Sequence, residues 1–292
     1  MTRKTLTRLG LGLFVAILVL GYLANTLDGK TPLSEAELDR AQAGVQRNEL
    51  WKPLERRING HDMALVPAGC FTMGSSDVQL EVAQDSCEQF FGRGKCQVNF
   101  QALEQPTQDL CFNHPFWIGR TEVTNHQFGA PLYTEKERHM RARSWPVEAV
   151  SWEQAQAYCE ALGMRLPTEA EWEFAARGPD AAIYPWGDEF DPLWLVWGML
   201  NPDDVGQYSQ GASWVGALDM SGGVAEWVEE PFKSYGANQG SSGLLLRVAR
   251  GGSWFSFAPF YLRSAMRELF GKDFASSVVG FRCAAELELF MK

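Results

Sequence analysis

The sequence predicts an α+β domain with little regular secondary structure, preceded by a membrane segment and a helical stalk. Three observations carry that prediction. An uncharged apolar run from Leu9 to Ala24 follows Arg3, Lys4 and Arg8. Beyond residue 60 the chain breaks into short apolar, aromatic-rich stretches separated by glycine, the texture of brief strands. Two well-punctuated helical stretches interrupt that texture between residues 151 and 178, so strands and helices share one domain.

The N-terminal run fades through Asn25 and Thr26 to Leu27. From Leu9 to Leu27 it is close to the roughly 20 residues that cross a bilayer as a helix. The basic flank would stay in the cytoplasm and the rest would be exported. Tyr22-Leu23-Ala24 is a poor cleavage site, so residues 1–27 are read as an uncleaved signal anchor in the inner membrane rather than a removed signal peptide. The expected location of the remainder is the periplasm.

Residues 28–60 read as a stalk. Ser34 and Glu37 have capping-box spacing, Pro53 breaks the helical pattern, and Asn59-Gly60 marks a turn and the expected domain edge. Residues 61–292 then form the main domain. Formal charge is -10 overall from 26 basic and 36 acidic residues; removing the three basic residues of the anchor leaves 23 against 36, or -13. Such a chain repels nucleic acid and anionic lipid, and nucleic-acid binding is set aside.

Within the main domain, MALVPAGCFTMGS and HPFWIGRTEVTN read as strands, and Asp77 to Leu110 as a polar loop between them. Six cysteines without a C-x-x-C motif, in an exported chain, point to disulfides and away from zinc. Spacing along this loop pairs Cys87 with Cys96 and Cys70 with Cys111, with free or crossed cysteines as the alternatives. Ser151 and Gln154 cap a helix over WEQAQAYCEAL that ends at Gly163, with Ala155, Tyr158, Cys159 and Leu162 as its apolar stripe. Thr168 and Glu171 cap a second helix that closes at Gly178. Beyond it the chain turns irregular. The four histidines lack metal-ligand spacing, and surface or capping roles are expected for them.

VPAGCFTMGS, FWIGRTEVTN, PVEAVSWEQAQAYCEALGMRLPTEAEWEFAARG, YPWGD, GALDMSGGVAEW, RGGSW and GFRC follow one another in this chain. In that order they resemble the formylglycine-generating enzyme (sulfatase-modifying factor) domain family, over roughly residues 61–289. The resemblance implies that family's variant of the C-type lectin fold. It also implies a disulfide between Cys159 and Cys283.

Enzymatic members of the family oxidise a sulfatase cysteine with two cysteines that bind copper(I). Laid on this chain, those positions fall on Pro259 and Ser264, and a family tryptophan falls on Ala225. Soft, ionisable sulfur has no oxygen substitute in that chemistry, so neither formylglycine generation nor copper is expected. The family's calcium loop falls on Asp219, Gly222, Val224 and Glu226, with Gly223 in place of an asparagine, and a Ca²⁺ ion is read ahead of an ordinary turn. Asn201, Asp203 and Asp204 lie where the family's other calcium site would be, but in a shortened loop.

Ser253, Tyr261, Arg263, Ser264, Arg267 and Glu268 surround the vacated positions and form the candidate groove, although pairing with core acids is the expected use of the arginines. The favoured reading is a non-catalytic, membrane-tethered periplasmic domain that binds a protein partner of the envelope as a regulatory or assembly factor. Its rivals are a periplasmic enzyme with siderophore-maturation-like oxidative chemistry and a Ca²⁺-dependent glycan-binding module.

Overall fold

A computed structural model describes residues 32–129, 143–235 and 246–287 of the chain. The segment read as a membrane anchor lies outside the described residues. Among the described residues no helix is long and apolar enough to cross a membrane.

The expected stalk is part of the domain. Helix α1 (Glu35–Gln42) carries the Ser34–Glu37 capping box, but it buries Ala41 fully, and Val45, Trp51 and Leu54 follow it into the main core. The guanidinium of Arg40 lies 4.6 Å from the ring centre of Trp51. Strand β1 (Glu55–Ile58) pairs antiparallel with β2 (His61–Val66), so Asn59-Gly60, both at positive φ, is the hairpin turn between them and not a domain edge. A polar helix with one small buried face looks like a spacer until its partner strand is known.

Sheet order is β1-β2-β5-β10 in one four-stranded sheet, where β5 is Phe116–Gly119 and β10 is Ala284–Glu286. A second has order β8-β7-β6-β9, from Arg267–Gly271, Leu246–Arg250, Ala225–Pro231 and Val279–Gly280. Strands β3 (Gly69–Met73) and β4 (Gln108–Phe112) form a separate ribbon clamped by Cys70–Cys111.

The polar loop expected over Asp77 to Leu110 contains helix α2 (Asp77–Phe91) and the short helix α3 (Phe100–Glu104). Ser76 and Gln79 close a capping box on α2, and Ala83 and Cys87 pack with Phe100, Ala258, Phe260 and Met266 in a small second core, beside the Cys87–Cys96 bridge. The buried stripe is narrow and Val78, Val82, Phe90 and Phe91 face outward, so the apolar periodicity is weak. After the short helix α4 (Asn125–Phe128) come the two capped helices, α5 (Trp152–Ala161) and α6 (Glu169–Arg177), both with complete capping boxes. Cys159 on α5 is fully buried and bridged to Cys283, immediately before β10.

Candidate functional site

Arg250 ends β7, Arg263 follows the 3₁₀ turn Pro259–Leu262, and Arg267 starts β8. These positions aim three long side chains inward rather than into an open groove. Arg263 makes a two-pronged contact with Glu104 (2.9 and 2.7 Å), which in turn accepts from the Ser75 hydroxyl. Arg267 donates to Glu169 (2.8 Å) and to the carbonyls of Leu103 and Lys233. Arg250 bridges Glu169 (3.1 Å) and Glu173, and Glu173 also meets Arg177 (2.9 Å) and the Gly74 N–H (2.7 Å).

All these guanidinium groups are buried. Burial alone would raise the Glu173 carboxyl, but Arg250, Arg177 and the Gly74 N–H outweigh it and hold the group below its usual range.

The candidate groove therefore needs correcting. Ser264 is fully buried, its carbonyl accepting from Arg250 and its N–H donating to Ile183. Ser253 is buried as well, and the two serines have no histidine beside them among their hydrogen-bond partners. Only Tyr261 and Glu268 keep partial exposure. Pro259 opens the 3₁₀ turn with its carbonyl toward the Tyr184 hydroxyl, and every cysteine of the chain is in a disulfide. The use expected for the arginines, as partners of core acids, describes the arrangement.

Glu268 leaves a measurable trace. Burial pushes its carboxyl up to about 7. A folded value raised above the unfolded one means the group costs nothing at pH below about 4.3 and destabilises the fold progressively as pH rises toward 7. Glu268→Gln is expected to leave stability unchanged near pH 4. At about pH 8 it should gain about 1–2 kcal/mol in urea unfolding, the partial exposure limiting the size.

Of the predicted calcium residues, Glu226 is already committed to other partners. Both Glu226 oxygens face Arg282 (2.5 and 2.7 Å), and one also accepts from the Trp172 indole (2.8 Å). Taking Glu226 to a cation would strand the fully buried Arg282. Asp219, at φ +58°, instead accepts from the Gly206 N–H (2.6 Å) and faces Glu122. Burial, then the Asp219 and Glu226 carboxylates, push Glu122 well above its usual range.

Gly223 is where the missing asparagine matters: a Cβ there would lie 2.2 Å from a Glu122 oxygen. The bare backbone is required by the carboxylate that crowds it. As arranged, these residues do not fit a calcium ion. At the shortened loop, Asp203 accepts from the Asp204 N–H and Asp204 from the Ser144 hydroxyl, which leaves both engaged within the chain.

Sequence reasoning did not find an open cleft of about 690 Å³ walled by Arg57, His61, Asp62, Arg120, His126 and Arg143. Its residues come from four separated segments, so no motif announces it. Arg57 pairs with Asp62 and Arg120 with Glu55, while His61, expected at the surface, is buried and hydrogen-bonded to Tyr158 (3.0 Å). Desolvation lowers the affinity of His61 for a proton, so it stays neutral at physiological pH.

Residues 47–287 match the model of the sulfatase-modifying factor enzyme 1-like domain. The inactive C-alpha-formylglycine-generating enzyme 2 of Bos taurus is 38% identical over 160 residues, covering 48% of this chain and 50% of that protein. The formylglycine-generating enzyme of Mycobacterium tuberculosis is 33% identical over 174 residues, covering 48% and 57%. The chain thus spans about half the length of these curated relatives. Among solved structures, PvdO from Pseudomonas aeruginosa superposes with a TM-score of 0.62 at 24% identity, covering 81% of this chain and 99% of that one, a likeness of fold alone.

Proposed function

This chain belongs to the sulfatase-modifying factor enzyme 1-like domain family, and we propose that it is a member that does not generate formylglycine. It serves instead as a tethered domain that binds a protein partner of the cell envelope, in a regulatory or assembly role. One observation carries the reading: all six cysteines are spent in disulfides, and the positions that resemble the family's thiol pair are Pro259 and the buried Ser264. A thiol exchange reaction requires an accessible thiolate, and Pro259 and Ser264 supply none.

Around Pro259 and Ser264, Arg250, Arg263 and Arg267 are held in buried ion pairs with Glu104, Glu169 and Glu173. Likeness to a relative named as inactive supports the reading. Tethering rests on the Leu9–Leu27 apolar run and its basic flank.

The test is an aldehyde assay. The full chain is incubated with oxygen, copper(I) and a cysteine peptide that the Mycobacterium tuberculosis relative converts, and aldehyde is trapped with a hydrazide probe. No aldehyde above the protein-free control is expected. Turnover by this chain would overturn the reading.

A further inference from the structure

Large apolar side chains stand in solvent on one contiguous surface. Leu193 is 76% exposed, Leu200 84%, Met199 49%, Phe255 48% and Phe257 47%. Isolated exposed apolar residues are ordinary, whereas a cluster of this kind marks an interaction surface.

The backbone brings them together. Gly198 N–H donates to the Ser256 carbonyl and Met199 N–H to the Trp254 carbonyl, so the 193–200 loop runs beside 254–257. The Trp197 indole donates back to the Pro192 carbonyl and packs edge-on to Phe190, which closes the loop that carries Leu193. Phe255 and Phe257 sit with ring centres 4.6 Å apart. None of the five belongs to the core clusters, and their exposure is not explained by packing.

The two stretches of chain that carry these side chains contain no base; the cation Arg143 stands beyond them, next to the Ser144 that donates to Asp204. From Gly178 to Phe232 the chain contains no Lys, Arg or His, and neither does Gly251 to Leu262. Asp188, Glu189 and Asp191 precede the apolar loop, with the Asp191 carboxylate accepting from the Leu193 N–H (2.9 Å), and Asp203 and Asp204 follow it.

We propose that this surface docks a basic amphipathic segment of a partner protein, with apolar side chains on the aromatic centre and Lys or Arg over the acidic fringe. A second copy would bring like charge to like charge, and an anionic membrane would be repelled. The proposal rests on the partner-binding reading above and adds the place and the chemistry of the contact.

The test uses the full chain and two defined probes: a fluorescent amphipathic peptide of leucine and lysine, and its leucine and glutamate counterpart. Anisotropy is expected to report binding of the lysine peptide, weakened by salt, and none of the glutamate peptide. The Leu200→Ser/Phe257→Ser variant should lose about tenfold in affinity, and Glu189→Gln/Asp203→Asn a few fold. Both variants change exposed side chains, and unaltered melting would confirm that they fold.

Equal binding of the lysine peptide by wild type and the Leu200→Ser/Phe257→Ser variant overturns the proposal. So does binding of the glutamate peptide, self-association of the wild type that the variant abolishes, or binding to neutral vesicles. Photocrosslinking in cells separates the two levels. A partner captured from an exposed position on α1, such as Glu35, but not from position 200 or 257 would leave partner binding standing and remove this surface.

Discussion

Arg250→Met is expected to destabilise the domain by about 3 kcal/mol or more in urea unfolding at neutral pH, because removing one partner from a buried ion pair leaves the other uncompensated. Arg250 is fully buried and spans Glu169 and Glu173 while also donating to the Ala265 and Ser264 carbonyls. Methionine fills much of the volume but meets none of those acceptors. Arg177 still faces Glu173 and Arg267 still faces Glu169, which keeps the loss below that of stripping both acids.

The pH dependence follows with a definite sign. Glu173 has a folded value below its unfolded one, so its contribution is present above the unfolded carboxylate range and is lost as pH falls. Without Arg250 the folded value rises, and the acid-unfolding midpoint of the variant should move to higher pH. Adding Glu173→Gln to Arg250→Met should deepen the loss, since it also removes the carboxylate that the buried Arg177 faces. A single variant within about 0.5 kcal/mol of wild type would contradict the network described here.

The second large effect concerns the Cys159–Cys283 bridge, which joins α5 to the approach of β10 across 124 residues of sequence. Chain-entropy arguments give a loop of that length about 5 kcal/mol of stabilisation. Cys159→Ala/Cys283→Ala should therefore lower stability by about that amount. Both positions are buried, and among the described residues β10 is held by three register pairs with β5 and a bridge to Arg165. Protection of the β5 and β10 amides in hydrogen exchange should fall more than that of β6 and β7. Uniform loss across both sheets would argue that the two sheets unfold as one cooperative unit instead.

How much was legible is best judged from particular residues. The boxes Ser34–Glu37, Ser151–Gln154 and Thr168–Glu171 need only a four-residue window, and all three helix starts are where that chemistry puts them. Ser76–Gln79 obeys the same rule, yet the sequence of α2 reads as a polar loop, its buried stripe being narrow and its outer face carrying Val78, Val82, Phe90 and Phe91. A cap is a weaker signal than periodicity when the helix contributes little to the core.

For Arg263 and Arg267 the sequence favours pairing with core acids, because arginine is rarely fully buried unless paired, but it does not name the acids. Their partners, Glu104 and Glu169, stand 159 and 98 residues away in the chain. No local pattern can reveal a pairing at that separation.

By itself the sequence determined the family texture, the helix starts, the even complement of cysteines and the acidic balance, all of which depend on neighbours in the chain or on plain counts. Only the tertiary structure decided that residues 35–58 are domain rather than stalk and that the arginines are core. It also decided that Glu226 answers Arg282, and that Leu193 to Leu200 meets Phe255 and Phe257 in solvent. Each of those depends on which distant segments exclude water together. Burial, which sets the cost of a charge and the worth of an apolar side chain, is a property of the assembled fold.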